Sequence, residues 1–209
     1  MDEVQNTKTY FTDTNCFRYP SAITNNSPSP QMVAKRKHKA TAKKFWDNAV
    51  AESSSGKAII MTCKEVTQEL KVQSHTLKPK ENRIINTLIS QSNIESIEIP
   101  TDLEYSLREF SNYARSKYGS ILTPPGYSME YLRASDARIF ISSYVNEAIL
   151  VTSNIRDFLL YPLFFGEDED VLYDILNETY VKLPDKGRKA IERDTFFQNI
   201  LRKMKELEE

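Results

Sequence analysis

The stretch 135–158 limits the folds open to this chain more than any other. Apolar groups at Ala137, Phe140, Ile141, Tyr144, Val145 and Ala148 recur in steps of three and four, the spacing of a helix with one face in a core. Ala148-Ile149-Leu150-Val151-Thr152 follows at once. That run is too short for a helix and is bounded by polar turn residues, so it reads as a buried parallel strand. Asp136 therefore opens a buried helix, and Asp157 stands just past the next strand. Open α/β sheets build their sites outside the carboxyl ends of their strands, which makes both acids candidates.

Upstream, Thr9-Tyr10-Phe11-Thr12 reads as a first strand that delivers Asp13-Thr14-Asn15 at its end. A helix is expected over 31–53, with Ala42, Phe45, Trp46, Ala49 and Val50 on one face. Its first half carries Lys35, Arg36, Lys37, Lys39, Lys43 and Lys44. They form either a solvated face or a contact for a phosphate backbone. Residues 58–62 make a second strand, 64–70 a helix, 80–92 another helix, and Ile97-Glu98-Ile99 a short third strand closed by Pro100. Thr101 and Glu104 have capping-box spacing, and Gly119 is the expected stop of the helix they begin. The turn 167–170 is acidic and reads as solvated. The part 179–181 leans to strand, and 186–207 reads as one closing helix. Alternation of this kind argues a parallel sheet with helices on both faces. No repeat or long linker divides the 209 residues, so a single domain is expected.

Composition narrows the partners. At 40% hydrophobic the chain can bury a full core. A net charge of −1 means that any nucleic-acid contact must come from a local patch. Two cysteines, Cys16 and Cys63, make neither a disulfide framework nor a zinc set. They are expected as small buried thiols, in keeping with a cytoplasmic location. The polar, acidic residues 1–6 do not look like a signal peptide. No apolar run reaches the length of a membrane span; the longest, 158–165, is broken by Pro162 and reads as a core cover.

Four acids then have defined places. Asp13 ends the first strand, Glu69 lies in the helix after the second, Asp136 begins the later helix, and Asp157 follows the later strand. In a parallel sheet they can meet at one end. Like charges that close raise one another's pKa, and a divalent cation relieves the conflict. Mg²⁺ and Mn²⁺ take oxygen ligands, and a pair of such ions can polarise a phosphodiester and activate water.

Together the words Phe11-Thr12-Asp13-Thr14-Asn15, Val66-Thr67-Gln68-Glu69-Leu70, Ser135-Asp136-Ala137-Arg138-Ile139 and Leu150-Val151-Thr152-Ser153-Asn154-Ile155-Arg156-Asp157-Phe158 resemble the PIN-domain nucleases, the fold of many bacterial and archaeal toxin ribonucleases. The last word is the most specific. The resemblance spans about 8–165, with a helical insertion at about 28–55 and an extension over 166–209. It implies a three-layer α/β/α sandwich with a central parallel sheet, and RNA cleavage that needs Mg²⁺ or Mn²⁺. Asp13 and Asp136 would be the principal metal ligands, with Glu69 the third acid and Asp157 completing the site. Asn15 and Thr152 would support them, and Asn154 would sit close to metal or substrate. Partners implied are RNA and a cognate antitoxin protein. Relatives often dimerise, which the closing helix could serve.

Two assignments stay open: Glu65 competes with Glu69, and Asn154, where many relatives carry an acid, competes with Asp157. The second functional reading is a non-catalytic RNA-binding or assembly module. A phosphatase of another α/β type is disfavoured because Asn15 stands where a second aspartate is needed, and none of the five glycines cluster into a phosphate loop. His38 and His75 lie in polar surroundings with no Gly-x-Ser-x-Gly word.

Overall fold

The computed structural model describes residues 7–207; the polar residues 1–6, read above as no signal peptide, lie outside them. In chain order the elements are β1 (Lys8–Thr12), α1 (Thr14–Ser21), α2 (Pro30–Ser54), β2 (Ala58–Cys63), α3 (Lys64–Gln73), α4 (Pro79–Ile89), β3 (Asn93–Glu95), α5 (Thr101–Leu122), α6 (Ala134–Val145), β4 (Ile149–Thr152), α7 (Ile155–Phe158), β5 (Leu172–Asp174), β6 (Thr179–Tyr180), α8 (Asp185–Ile191) and α9 (Thr195–Lys205). The chain is thus α/β, with a six-stranded sheet in the order β3-β2-β1-β4-β5-β6. Its pairings β1–β2, β1–β4 and β2–β3 are parallel. Among the described residues no helix is long and apolar enough to cross a membrane.

The described residues gather into two compact units, interleaved along the chain. The first takes the residues up to Ser96 with Ile149–Ser153 and Asp174–Thr179; the second takes Ile97–Ala148, Asn154–Tyr173 and the residues from Tyr180 on. The first holds β1 to β4. Tyr10 pairs with both Ile60 and Ile149, and Thr12 reaches Val151. Phe11 and Leu150 are fully buried, each burial contributing about 1.5–3 kcal/mol. Successive strands β1, β2 and β3 step to one side, whereas β4 returns to the other side of β1. The reversal creates a switch point, and Asp13 and Ser153 emerge from the two strands that flank it.

The helix α1 was not expected from the sequence, because it is short and contains Pro20. It forms because Asp13 caps it: Asp13 Oδ1 accepts from Asn15 N (2.9 Å) and Cys16 N (3.1 Å). Its buried Phe17 packs on Trp46 of α2, with ring centroids 5.2 Å apart. Ser29 caps α2, accepting from Met32 N at 3.3 Å, and Pro30 pre-sets the first turn.

In the second unit α5 packs against α6, α8 and α9. Leu103, Leu107, Phe110 and Ala114 form the buried stripe that the sequence predicts. Phe110 meets Phe164 and Phe197, and Phe140 meets Tyr161 and Phe164. The expected core cover thus does fill a core. Tyr161 donates to Ala148 O at 2.7 Å and shares a 2.8 Å hydrogen bond with Ser143 Oγ. Burial drives its phenol pKa upward.

Four expectations are corrected. The third strand is Asn93–Glu95 and not 97–99. Cys63, the last residue of β2, already pairs with Glu95, so residues 97–99 run past the end of their neighbour. The capping box does not form: Pro100 is the N-cap, with its carbonyl accepting from Leu103 N and Glu104 N, both at 3.1 Å. Glu104 turns instead to Arg108 and Arg138. Gly119 does not stop α5, which runs on to Leu122. The closing helix is split into α8 and α9, because Asp194 starts a new helix by accepting from Phe196 N at 2.8 Å.

Candidate active site

Asp13 leaves β1 at its carboxyl end, where its amide is held by Val151 O of β4 (3.3 Å). The side chain is 4% exposed. One carboxylate oxygen caps α1; the other accepts from Thr152 Oγ1 at 2.5 Å. Among the described residues it has no lysine, arginine or histidine partner. Burial raises its pKa, against the lowering pull of hydrogen bonds from Thr152, Cys16 and Asn15. A buried carboxylate is normally paired with a cation, coordinated to a metal, or neutralised. Cys16 is buried beneath it, donating from Sγ to Val151 O at 3.0 Å. Desolvation first, and the charge of Asp13 second, push that thiol well above its ordinary value. Cys63 is likewise buried and free, its pKa raised by burial to about 11. Both are the inert thiols expected.

Glu69 comes to the same place from α3. The adjacent Thr14 hydroxyl donates to its Oε2 in a very short hydrogen bond. Val66 and Leu70 are buried, and the half-exposed Glu69, three residues after Val66, lies at the edge of that buried face. Within the first unit, then, Asp13, Asn15 and Thr152 are joined by direct hydrogen bonds, and Glu69 is bonded to Thr14, the residue after Asp13. Asn15 takes part through its backbone amide.

In the second unit, Asp136 lies in the first turn of α6, half-buried, where a carboxylate is favoured by the helix dipole. Asp157 is buried in α7 and accepts from Asn154 Nδ2 at 2.5 Å. Arg156 approaches its other oxygen at 3.5 Å. Asn154 and Asp157, competitors in the sequence, are therefore one hydrogen-bonded pair.

The basic run on α2 is mostly engaged. Arg36 donates to Asn25 O and Ser27 O at 2.6 and 2.8 Å, and Lys39 donates to Ala22 O at 2.7 Å. Lys43 pairs with Asp47 and Lys44 with Glu178, both at 2.6 Å on the surface. Lys35 and Lys37 are exposed. Surface pairs of this kind contribute roughly 0–1 kcal/mol.

Among the described residues, no three His, Cys, Asp or Glu side chains stand together in a group that could hold a metal ion as they lie. The donor set still suits one class of cation. It is all oxygen, and Mg²⁺ in particular binds through one or two carboxylates while keeping several waters. Asp13 is one such carboxylate, and Glu69 is held by Thr14, the residue that follows it. No family model, curated protein or solved structure matches the chain.

Proposed function

We propose that the protein is a PIN-like, three-layer α/β/α ribonuclease that hydrolyses RNA phosphodiester bonds with Mg²⁺ or Mn²⁺. The observation that carries this reading is Asp13, a buried carboxylate with no cationic side chain beside it among the described residues, placed at the switch point of a parallel sheet, where such folds bind ligands. Asp13 and Asp136 would be the principal ligands, with Glu69 as third acid and Asp157, held by Asn154, as fourth. A bound divalent ion supplies charge neutralisation and an activated water. Thr152 keeps one Asp13 oxygen oriented, and the Asn15 and Cys16 amides fix the other. Lys35 and Lys37, with their neighbours on α2, would contact the RNA backbone. The resemblance extends this reading to the toxin of a toxin–antitoxin pair in the cytoplasm, with an inhibitor protein, and a second copy of the chain, as further partners.

The test incubates purified protein with a mixed RNA pool, with Mn²⁺ or with chelator, beside Asp13→Asn and Asp136→Asn. Cleavage that needs Mn²⁺ and disappears in both variants is expected; equal cleavage by the variants would sink the proposal. A second reading, a non-catalytic RNA-binding or assembly module, is favoured by the lack of a three-acid group among the described residues. It predicts no Mn²⁺-dependent thermal stabilisation, whereas the nuclease reading predicts one that Asp13→Asn abolishes.

A further inference from the structure

We infer that Tyr19 and His38 form a base subsite at the rim of the candidate site, taking one unpaired base of a single RNA strand. Both belong to the first unit, Tyr19 on α1 and His38 on α2, and both are half-buried. Their rings meet edge to face, with centroids 5.5 Å apart and planes at 80°. Neither ring has another aromatic neighbour among the described residues. The Tyr19 hydroxyl accepts from Ser153 Oγ at 3.4 Å. Ser153 follows Thr152, whose hydroxyl donates to Asp13. The pair therefore stands where β4 ends, one residue beyond the contact that holds the Asp13 carboxylate.

Charge argues for the occupant. Residues 14–46 hold seven lysines and arginines and no aspartate or glutamate, in a chain whose net charge is −1. Lys43 and Lys44 are paired with Asp47 and Glu178. The other five, Arg18, Lys35, Arg36, Lys37 and Lys39, form no ion pair among the described residues. Arg18 donates to the neutral amide of Gln73, and Arg36 and Lys39 donate to backbone carbonyls. Lys39 reaches Ala22 O, and Ala22 N is bonded to Tyr19 O at 3.2 Å, which brings that ammonium to the turn after Tyr19. Lys35, three residues before His38, shares its helix face. Besides Asp47 and Glu178, the acids bonded to this segment are Asp13, Glu69 through Thr14, and Glu81 through the Ile23 amide. Three acids against five cations leave the segment net positive. A strand's phosphates answer that charge and an unpaired base answers the rings, the combination that single-strand recognition uses. A duplex keeps its base faces stacked inside. RNA as the natural strand rests on the ribonuclease reading, but binding at this subsite needs no cleavage.

The test is fluorescence anisotropy, in chelator, with two labelled strands of about a dozen nucleotides, a length within the usual site size. One is a mixed-sequence RNA; the other is an abasic strand with the same backbone. The full chain should prefer the RNA by roughly five-fold or more, the contribution of one stacked base. Tyr19→Leu and His38→Ala should lose that preference, and Tyr19→Phe should keep it. A merely structural role for the two rings would not separate the strands. Lys35→Ala/Lys37→Ala should instead weaken both strands alike and lower the slope of log affinity against log salt by about 0.7 for each lysine. Thermal unfolding checks that each variant is folded, and His38→Ala carries the test alone if Tyr19→Leu unfolds. Absence of Mn²⁺-dependent cleavage would sink the ribonuclease reading and leave this measurement readable. No binding, equal affinity of the full chain for the two strands, or an unchanged preference in folded His38→Ala would overturn the inference.

Discussion

Asp13 caps α1 with one oxygen and receives Thr152 on the other, while burial works against its charge. Burial, the largest influence, raises its pKa above 3.8. A native value above the unfolded one means that ionised Asp13 opposes folding at neutral pH. The penalty fades as pH falls through the native value toward 3.8. Asp13→Asn keeps the capping acceptor without the charge. In chelator it should unfold at higher urea than the parent at neutral pH, with the advantage shrinking toward about pH 4, near an ordinary aspartate's pKa. Asp13→Ala removes the cap and should lose about 1 kcal/mol in the same titration. The strand-end position of Asp13 was legible from the sequence, since a short apolar strand ending in Asp-Thr-Asn is a local pattern. Its role as a helix cap was not, because Pro20 argues against the helix that it caps.

Between elements, α8 comes close to the end of α5 at Gly187. A Cβ added at Gly187 would lie 2.2 Å from Ile121 O. Replacing a helical glycine by alanine ordinarily stabilises by about 1 kcal/mol. Gly187→Ala should instead destabilise by about 1–3 kcal/mol, because backbone must move. Gly119→Ala, with nothing within 4 Å of the added carbon, should show the ordinary gain; chemical denaturation of both variants decides. The start of α9 is tied to α5 by Asp194 Oδ2, which accepts from Tyr113 OH and Tyr118 OH (each 2.7 Å) and Lys117 Nζ (3.0 Å). Desolvation alone would raise the Asp194 pKa, but these bonds lower it well below 3.8. The stability it contributes is complete above 3.8 and is lost as pH falls through the lowered native value. Asp194→Asn should therefore show a shallower loss of melting temperature on acidification. Periodicity made α5 and α6 legible. The break at Asp194 was hidden because Phe197, Ile200, Leu201 and Met204 continue a helical stripe that masks a cap.

At the scale of the molecule, each unit is assembled from separate segments, and the chain passes between them five times. The strand β4 belongs to the first unit, yet both of its flanking segments belong to the second. Unfolding either unit alone would pull on that strand from both ends. Calorimetry should accordingly give one transition, with calorimetric and van't Hoff enthalpies equal; two resolved peaks would contradict it. Alternating strand and helix patterns made the α/β class and the parallel pairings readable. The strand order was not, since nothing local in 149–152 says on which side of β1 it will lie. The chain also has one tryptophan, and Trp46 Nε1 donates to Cys16 O at 2.8 Å, in the first turn of the helix that begins at Asp13. A lone indole fastened there is a built-in optical probe, whose emission colour reports any ion or side-chain exchange that shifts the first turn of α1.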